Sequence, residues 1–194
     1  MPRVRDSGVP AQEQWEGYFD PPGILDALGC RNLCGDVVEF GCGYGTFAIP
    51  AARRTSGTVV ALDIDPAMVA ATAQRAAREG LTNLIAQQRD FVAAGCGQPA
   101  RSVRFALLLN ILHLEEPLTL LREAHRVLRP DGAVGVIHWN RDARTPRGPP
   151  LEIRPSPADC RQWAAAAGFG RAEQRVLPGT PWHWGMVLDR PLQL

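Results

Sequence analysis

The chain has 194 residues, 45% hydrophobic and 21% charged, ordinary values that predict a single globular domain over residues 1–194. Because 21 Lys and Arg nearly balance 20 Asp and Glu, no overall positive field attracts a polyanion, which argues against a nucleic-acid partner. The sequence has neither a bilayer-length apolar run nor the apolar N-terminal stretch of a secretory signal, so we expect a cytoplasmic protein without a membrane partner.

The N-terminal segment, residues 1–30, is predicted to form a helical cap over the rest of the domain. Apolar residues recur there at helical spacing, at Trp15, Tyr18, Phe19, Ile24, Leu25 and Leu28. This periodicity indicates two short amphipathic helices laid over a sheet. Aromatic residues at such spacing are also typical of plain core packing, which leaves both a lid and a fixed helical layer open.

Short β-branched or leucine-rich runs alternate with alanine-rich stretches along the chain, a pattern typical of βαβ units and a parallel sheet. Strands are predicted at residues 36–40, 58–62, 83–89, 103–109, 133–139, 172–177 and 183–189. Helices are predicted at residues 46–54, 66–80, 117–128 and 157–167, the second and fourth capped by Asp65 and Ser156. Residues 129–132, Arg-Pro-Asp-Gly, predict a turn before the fifth strand.

Glycines follow the first predicted strand at every second position, as Gly41, Gly43 and Gly45, and Glu39 stands two residues before the first. Such a strand-to-helix turn lets the backbone approach a ligand and presents free N–H groups to it. The spacing differs from the G-x-G-x-x-G of dinucleotide-binding folds. Glu39 would repel a pyrophosphate but attract a ligand with cationic groups, such as S-adenosylmethionine. A tight turn without a ligand is the alternative interpretation.

Two further acids end the next two predicted strands. At the carboxyl edge of the sheet, Asp63 can accept hydrogen bonds from both hydroxyls of a ribose. Asp90 can accept one from an adenine amino group, and Phe91 beside it can cover the base. Each acid alone is also explained as an ordinary turn residue. Together with Glu39, however, they place acids at the tips of three neighbouring strands and predict one nucleoside-binding edge.

The five cysteines are odd in number and irregular in spacing, which fits reduced thiols better than a disulfide framework. Cys30 and Cys34 invite a metal interpretation. The sequence has no second cysteine pair and no histidine near them at ligand spacing, so no metal site is predicted and both are interpreted as small buried side chains.

Five segments of the chain resemble the class I S-adenosylmethionine-dependent methyltransferases, of the type 11 and type 25 kind, over about residues 33–139. Residues 37–45 are similar to the first motif of the family, 60–63 to its ribose-binding strand end, 89–91 to its adenine-binding turn, 107–113 to its fourth-strand segment and 128–132 to the turn before its fifth strand. Many relatives open the fourth strand with an aspartate, where this chain has Phe105 and Ala106.

The resemblance implies an α/β fold, a three-layer doubly wound sheet of seven strands in the order 3-2-1-4-5-7-6 with strand 7 antiparallel. It also implies S-adenosylmethionine as the cofactor, contacted by Glu39, Gly41, Gly43, Gly45, Asp63, Ile64, Asp90, Phe91 and Asn110. Asn110 is followed by Ile111, Leu112 and His113 instead of the Pro-Pro-Tyr/Phe of enzymes that methylate nucleobase amino groups. The departure argues against that reaction.

Methyl transfer from a sulfonium depends mainly on proximity and orientation, with a base for some acceptors. His113 follows the fourth strand and is the candidate base, with a packing role as the alternative. Tyr18, Trp139 and Asn140 are candidate walls of a pocket for a small-molecule acceptor. The arginine-rich loop 141–155 over the active edge either clamps an anionic acceptor or is simply solvated.

His138 lies inside the fifth predicted strand and is interpreted as structural. His183 stands between two tryptophans that are typical of edge packing but could also wall the acceptor pocket. An NAD-dependent oxidoreductase and a non-catalytic S-adenosylmethionine-binding protein remain as alternatives to an enzyme that transfers methyl groups.

Overall fold

One seven-stranded sheet runs through the centre of the computed structural model, which describes residues 11–142 and 144–191. Its strands are β1 Val37–Phe40, β2 Val59–Asp63, β3 Leu84–Gln88, β4 Val103–Leu109, β5 Leu128–Trp139, β6 Arg171–Arg175 and β7 His183–Asp189. Their order is β3-β2-β1-β4-β5-β7-β6. Strand β7 runs antiparallel to both neighbours, and the other pairs are parallel. The implied fold and strand order are therefore confirmed.

Seven α-helices and one short 3-10 helix, Leu151–Ile153, are present among the described residues. The α-helices are α1 Gln12–Glu16, α2 Pro21–Ala27, α3 Ala48–Ala52, α4 Pro66–Arg78, α5 Phe91–Ala94, α6 Pro117–Val127 and α7 Pro157–Ala167. Asp65 caps α4 by accepting a hydrogen bond from the Ala67 N–H at 2.8 Å. Ser156 and Asp159 form a reciprocal capping box at the start of α7. Both predicted caps are confirmed, and residues 1–10 of the predicted N-terminal cap lie outside the described part of the chain.

Helices cover both faces of the sheet, and alternate residues of β4 point into the two resulting cores. Ala106 and Leu108 pack on one face with α6 and α7. Phe105 and Leu107 pack on the other with α2 and α3. Because both faces are covered, β4 reads in the sequence as a nearly continuous apolar run. The tips of β1, β2 and β4 are held rigidly between these two layers.

The predicted turn at residues 129–132 is wrong, because those residues form a bulge inside β5. Leu128 pairs with Val103 and Ala133 with Phe105, so four residues of β5 lie opposite Arg104. The guanidinium of Arg104 donates a hydrogen bond to the carbonyl of Asp131 and so ties the bulge to β4. The turn signal is local, whereas the pairing that overrides it comes from the neighbouring strand.

Cys30 is buried in the core under α2, where burial raises the pKa of its thiol to about 12, and Cys34 is exposed. Within residues 11–142 and 144–191, no group of three or more His, Cys, Asp or Glu side chains could hold a metal ion. None of the helices described there is long and apolar enough to cross a membrane.

Candidate functional site at the strand tips

The glycine turn after β1 has a backbone that L side chains rarely adopt. The φ angles of Gly41, Gly43 and Gly45 are +80°, +51° and +74°. A Cβ atom built on Gly41 would lie 3.3 Å from the side chain of Ile111, and one on Gly45 would lie 3.1 Å from that of Thr72. A Cβ atom on Gly43 would meet nothing within 4 Å. Gly43 therefore faces open space at the tip of the strand.

Asp63 and Thr72 hold this turn from two sides. Asp63, the last residue of β2, accepts hydrogen bonds from the N–H groups of Gly43 at 2.9 Å and Asp65 at 3.0 Å. The Thr72 hydroxyl, buried on α4, donates to the Gly43 carbonyl at 2.8 Å. Burial raises the pKa of Asp63, although these N–H groups oppose the shift. Thr72 was not predicted from the sequence, where its signal is just a hydroxyl within an alanine-rich helix.

Glu39 is a buried carboxyl group with no counter-charge beside it among the described residues. It lies on β1 between Ala61 of β2 and Leu107 of β4, and only 1% of its surface is exposed. One oxygen accepts a hydrogen bond from the Ala48 N–H, and the other, Oε2, has no partner. Burial raises the pKa of Glu39 well above its usual value, and nearby Asp63 raises it further. Such a group favours either a proton or a cationic ligand.

Asn110, directly after β4, combines backbone strain with an unsatisfied side chain. Its φ of +56° is in the left-handed region, and its N–H donates to the Ile137 carbonyl at 2.9 Å. Both Oδ1 and Nδ2 are buried without hydrogen-bond partners. A non-glycine residue held in this way is typical of a functional position.

Four residues account for all the buried, unpartnered polar side-chain atoms in the described part of the chain. They are Glu39, Thr46, Asn110 and His183. Glu39 is the next-to-last residue of β1, Asn110 directly follows β4, and Thr46 follows the glycine turn. His183 pairs with Trp139, the last residue of β5. All four therefore lie at the carboxyl edge of the sheet. Because each such atom costs about 1–3 kcal/mol when left unpaired, the edge is suited to meet a polar ligand.

At the tip of β3, the structure differs in part from the sequence prediction. Asp90 caps α5 by accepting a hydrogen bond from the Ala93 N–H at 3.0 Å. The Phe91 ring lies in the core, perpendicular to Phe40 with ring centroids 5.4 Å apart. The ring is therefore not positioned to cover a base, and Phe91 could contact a ligand there only through its backbone. Ile64 is half-buried beside Asp63.

The three candidate acceptor residues lie near one another on the side of the edge formed by β5 and β7. The Tyr18 and Trp139 rings are 5.4 Å apart, and Trp139 lies 4.1 Å from His183. The Asn140 side chain donates to the Pro181 carbonyl at 3.2 Å. Phe19 extends the group and lies 4.8 Å from His183. His183, interpreted from sequence as edge packing, thus belongs to this aromatic group.

His113 is buried next to His138. Its Nδ1 lies 3.2 Å from Nε2 of His138, within hydrogen-bond distance. Burial, and then the neighbouring His113, hold the pKa of His138 well below its ordinary value. Two histidines that are 25 residues apart in the chain therefore form a buried pair near the ends of β4 and β5.

The loop over residues 141–155 is organised by a buried arginine. Arg154 donates hydrogen bonds to the carbonyls of Pro149 at 2.7 Å, Asn140 at 2.8 Å and Arg147 at 3.0 Å. Its guanidinium is therefore engaged by these carbonyls, so Arg154 itself is not available to clamp an anion. At the surface, Arg144 pairs with Asp142.

A family model described as a methyltransferase domain matches residues 37–132 of the chain. Nocamycin O-methyltransferase of Saccharothrix syringae is 37% identical over 103 residues, which are 52% of this chain and 36% of that protein. The chain thus spans about a third of the length of this curated relative.

Two solved structures extend the likeness over most of the fold. A SAM-dependent methyltransferase from Aquifex aeolicus is 24% identical with a TM-score of 0.76, and the alignment covers 90% of this chain and 91% of that one. A Sulfolobus solfataricus protein described as a type 11 methyltransferase is 25% identical with a TM-score of 0.64, covering 87% and 90%. The matching domain model over residues 37–132 confirms the resemblance of this chain to the class I S-adenosylmethionine-dependent methyltransferases, and the two solved structures show the same fold over most of the chain.

Proposed function

We propose that this protein binds S-adenosylmethionine across the tips of β1, β2 and β4 and transfers its methyl group to a small-molecule acceptor. The observation that carries the proposal is the set of buried, unpartnered polar atoms at this edge. Glu39, Thr46 and Asn110 present such atoms around the glycine turn. A protein that bound nothing there would keep the free-energy cost of leaving all of these buried polar atoms unpaired.

The charges at the edge favour this cofactor over a dinucleotide. The Glu39 carboxylate suits the ammonium of the methionyl end, and Asp63 suits the ribose hydroxyls, as predicted from sequence. Bound S-adenosylmethionine supplies a methyl group on a sulfonium. A pyrophosphate would instead bring two negative charges beside buried Glu39, which counts against the NAD-dependent alternative. Asp90 remains the predicted partner of the adenine amino group and Ile64 a predicted cofactor contact, while Phe91 would contact the cofactor through its backbone.

The residues proposed to contact the methyl acceptor favour a small, partly apolar molecule. Half-buried Tyr18, packed against buried Trp139, supplies aromatic surface, and Asn140 supplies a polar group, beside His183. The relative from Saccharothrix syringae is named for O-methylation of nocamycin, which favours a hydroxyl group as the methylated one. His113 is the proposed base for its proton. The single-domain organisation and a cytoplasmic location stay predictions.

Calorimetric titration separates the three possible functions. S-adenosylhomocysteine is expected to bind at one site per chain, and NADH is expected to give no heat of binding. The reverse result would assign an oxidoreductase. A methyl-release assay against a metabolite library then distinguishes an enzyme from a non-catalytic binder, for which S-adenosylhomocysteine would bind but no acceptor would be methylated.

Gly43→Ala is expected to weaken S-adenosylhomocysteine binding by roughly tenfold, since the new methyl group would occupy the open space that the ligand needs. Gly80→Ala is a matched control. Gly80 has a φ of +67°, and its Cβ would also meet nothing within 4 Å, but it lies beyond the end of α4. Both variants should lose about 1 kcal/mol of stability from the left-handed backbone. Equal affinities in calorimetry would remove the glycine turn from the site.

The N-terminal segment is expected to act as a lid over this edge. Phe19 is buried against Phe47 and His183, so a ligand that enters beside His183 must displace or rearrange it. Hydrogen exchange over residues 11–29 should slow when S-adenosylhomocysteine binds. Exchange over α7 serves as the control and should not change. Equal protection of residues 11–29 with and without ligand would identify a fixed helical layer instead.

A further inference from the structure

Both polar backbone groups of Gly43 are held by side chains from two different elements. The Gly43 N–H donates a hydrogen bond to Oδ2 of Asp63, at the end of β2, at 2.9 Å. The Gly43 carbonyl accepts one from the Thr72 hydroxyl, on α4, at 2.8 Å. The N–H belongs to the planar peptide group before the Cα atom and the carbonyl to the one after it. The two hydrogen bonds together therefore restrict both φ and ψ of Gly43.

The Thr72 side chain is committed to this contact. It is completely buried on α4, where a threonine hydroxyl often bonds to a carbonyl of its own helix. Its single proton goes instead to Gly43. A Cβ atom built on Gly45 would lie 3.1 Å from the Thr72 side chain, so the glycine turn leaves just enough room for the threonine. Packing alone would be served equally by a valine, which has no hydroxyl to bury.

The carboxylate at the other side of Gly43 is the proposed ribose ligand. Its two oxygens accept hydrogen bonds from the N–H groups of Gly43 and Asp65. Each carboxylate oxygen has a second lone pair, so both can also accept a hydrogen bond from a ribose hydroxyl. A Gly43 released at its carbonyl would be free to rotate, because it has no Cβ atom to restrict it. Its N–H would then be less well directed at Asp63.

We infer that Thr72 is a positioning residue that acts through Gly43 to hold the glycine turn and the Asp63 carboxylate in the geometry that binds the ribose of S-adenosylmethionine. The inference rests on the proposed function and extends the cofactor site to α4. A turn that is held in advance need not be ordered when the ligand binds, so the entropy cost of ordering it is already met in the folded protein. Removing the hydroxyl would transfer that cost to binding.

Thr72→Val keeps the shape of the side chain and removes the hydroxyl. We expect it to weaken S-adenosylhomocysteine binding about tenfold in calorimetry, because one backbone residue must be ordered again on binding. Thr72→Ser retains the hydroxyl and should bind within about twofold of wild type. A merely structural role for Thr72 would lower the stability of Thr72→Val but leave its affinity at the wild-type value, which would overturn the inference.

Thr55→Val is the matched control. The Thr55 hydroxyl also donates to a glycine carbonyl, that of Gly35 at 2.5 Å, but this contact lies before the start of β1, at the opposite edge of the sheet. Its loss should lower the free energy of unfolding and leave the affinity for S-adenosylhomocysteine unchanged.

An Asp63→Ala background tests whether Thr72 acts through the carboxylate. There, Thr72→Val should weaken binding by less than about threefold, since the group that it positions is already gone. A further tenfold loss in this background would contradict action through Asp63.

A measurement on the wild-type protein does not depend on the folding of any variant. Backbone ¹⁵N relaxation should give the Gly43 amide an order parameter of about 0.85 in the ligand-free protein, as for rigid backbone, with little change when S-adenosylhomocysteine binds. A value below about 0.6 would show that the turn is not held in advance and would overturn the inference. Failure of the wild-type protein to bind S-adenosylhomocysteine would instead overturn the cofactor assignment.

Discussion

Replacing Glu39 by glutamine is expected to stabilise the ligand-free protein at pH 8 while weakening S-adenosylhomocysteine binding by about 10- to 100-fold. The carboxyl group is buried with Oε2 unpartnered and no cation beside it. Glutamine removes the charge at nearly the same size, which relieves about 1–3 kcal/mol of desolvation cost. It also removes the charge-assisted hydrogen bond to the ligand ammonium, about 1.5–3 kcal/mol of binding free energy.

The stabilisation should depend on pH in a defined direction. Because the pKa of Glu39 is raised in the folded protein, its contribution to stability is present below the unfolded value of about 4.5 and is lost as the pH rises through the folded value. The gain from Glu39→Gln, measured by chemical denaturation, should therefore be larger at pH 8 than at pH 5. Wild-type affinity should rise with pH over the same range, since the ammonium binds the ionised carboxyl.

Glu79→Gln is the matched control. Glu79 follows α4 at the surface and pairs with Arg53 and Arg75, so its loss should lower stability by no more than about 1 kcal/mol and leave binding unchanged. A Glu39→Gln protein that is less stable than wild type at both pH values, with unchanged affinity, would contradict the ammonium assignment and the buried-charge argument together.

The protein should lose about 2 kcal/mol of folding stability through His183 alone between pH 7.5 and pH 5. Burial lowers the pKa of His183 to about 3, and the Arg154 guanidinium adds to the shift. The unfolded chain takes up a proton at this residue near pH 6.5, while the folded protein does not. Stability from this residue is thus present above pH 6.5 and is lost as the pH falls toward 3.

His183→Phe should therefore flatten the pH dependence by that amount, because phenylalanine fits among Phe19 and Trp139 without titrating. Thr180→Val is the control. It removes the hydrogen bond between the Thr180 hydroxyl and Nδ1 of His183 at 2.6 Å but keeps the imidazole. Its stability should fall similarly at both pH values. An unchanged pH dependence in His183→Phe would show that His183 takes up its proton over the same pH range in the folded protein as in the unfolded chain.

Glu39 and the buried histidines favour the folded state in opposite pH ranges. Glu39 is most compatible with folding when protonated, and His138 and His183 when neutral. The first condition favours low pH and the second favours high pH, so their costs are lowest in an intermediate range. Bound ligand would relieve the first cost by supplying a cation, which couples stability to occupancy.

Features set by neighbouring residues along the chain could be predicted from the sequence. The glycine turn depends on three left-handed positions within five residues, and the caps at Asp65 and Ser156 on hydrogen bonds to residues two or three positions away. Strand positions followed from apolar runs whose period matches the pleat. Such signals are local, and the sheet that encloses them did not override them.

Features that depend on residues far apart in the chain were decided by the tertiary structure. The sequence alone determined a seven-stranded α/β domain with three acids at its strand tips. Only packing placed His113 against His138, turned the Arg154 guanidinium into its own loop and put the Phe91 ring into the core. Local patterns indicate which residues can form a helix, strand or turn. Side-chain partners and unpartnered buried atoms are decided only when elements that are distant in the chain pack together.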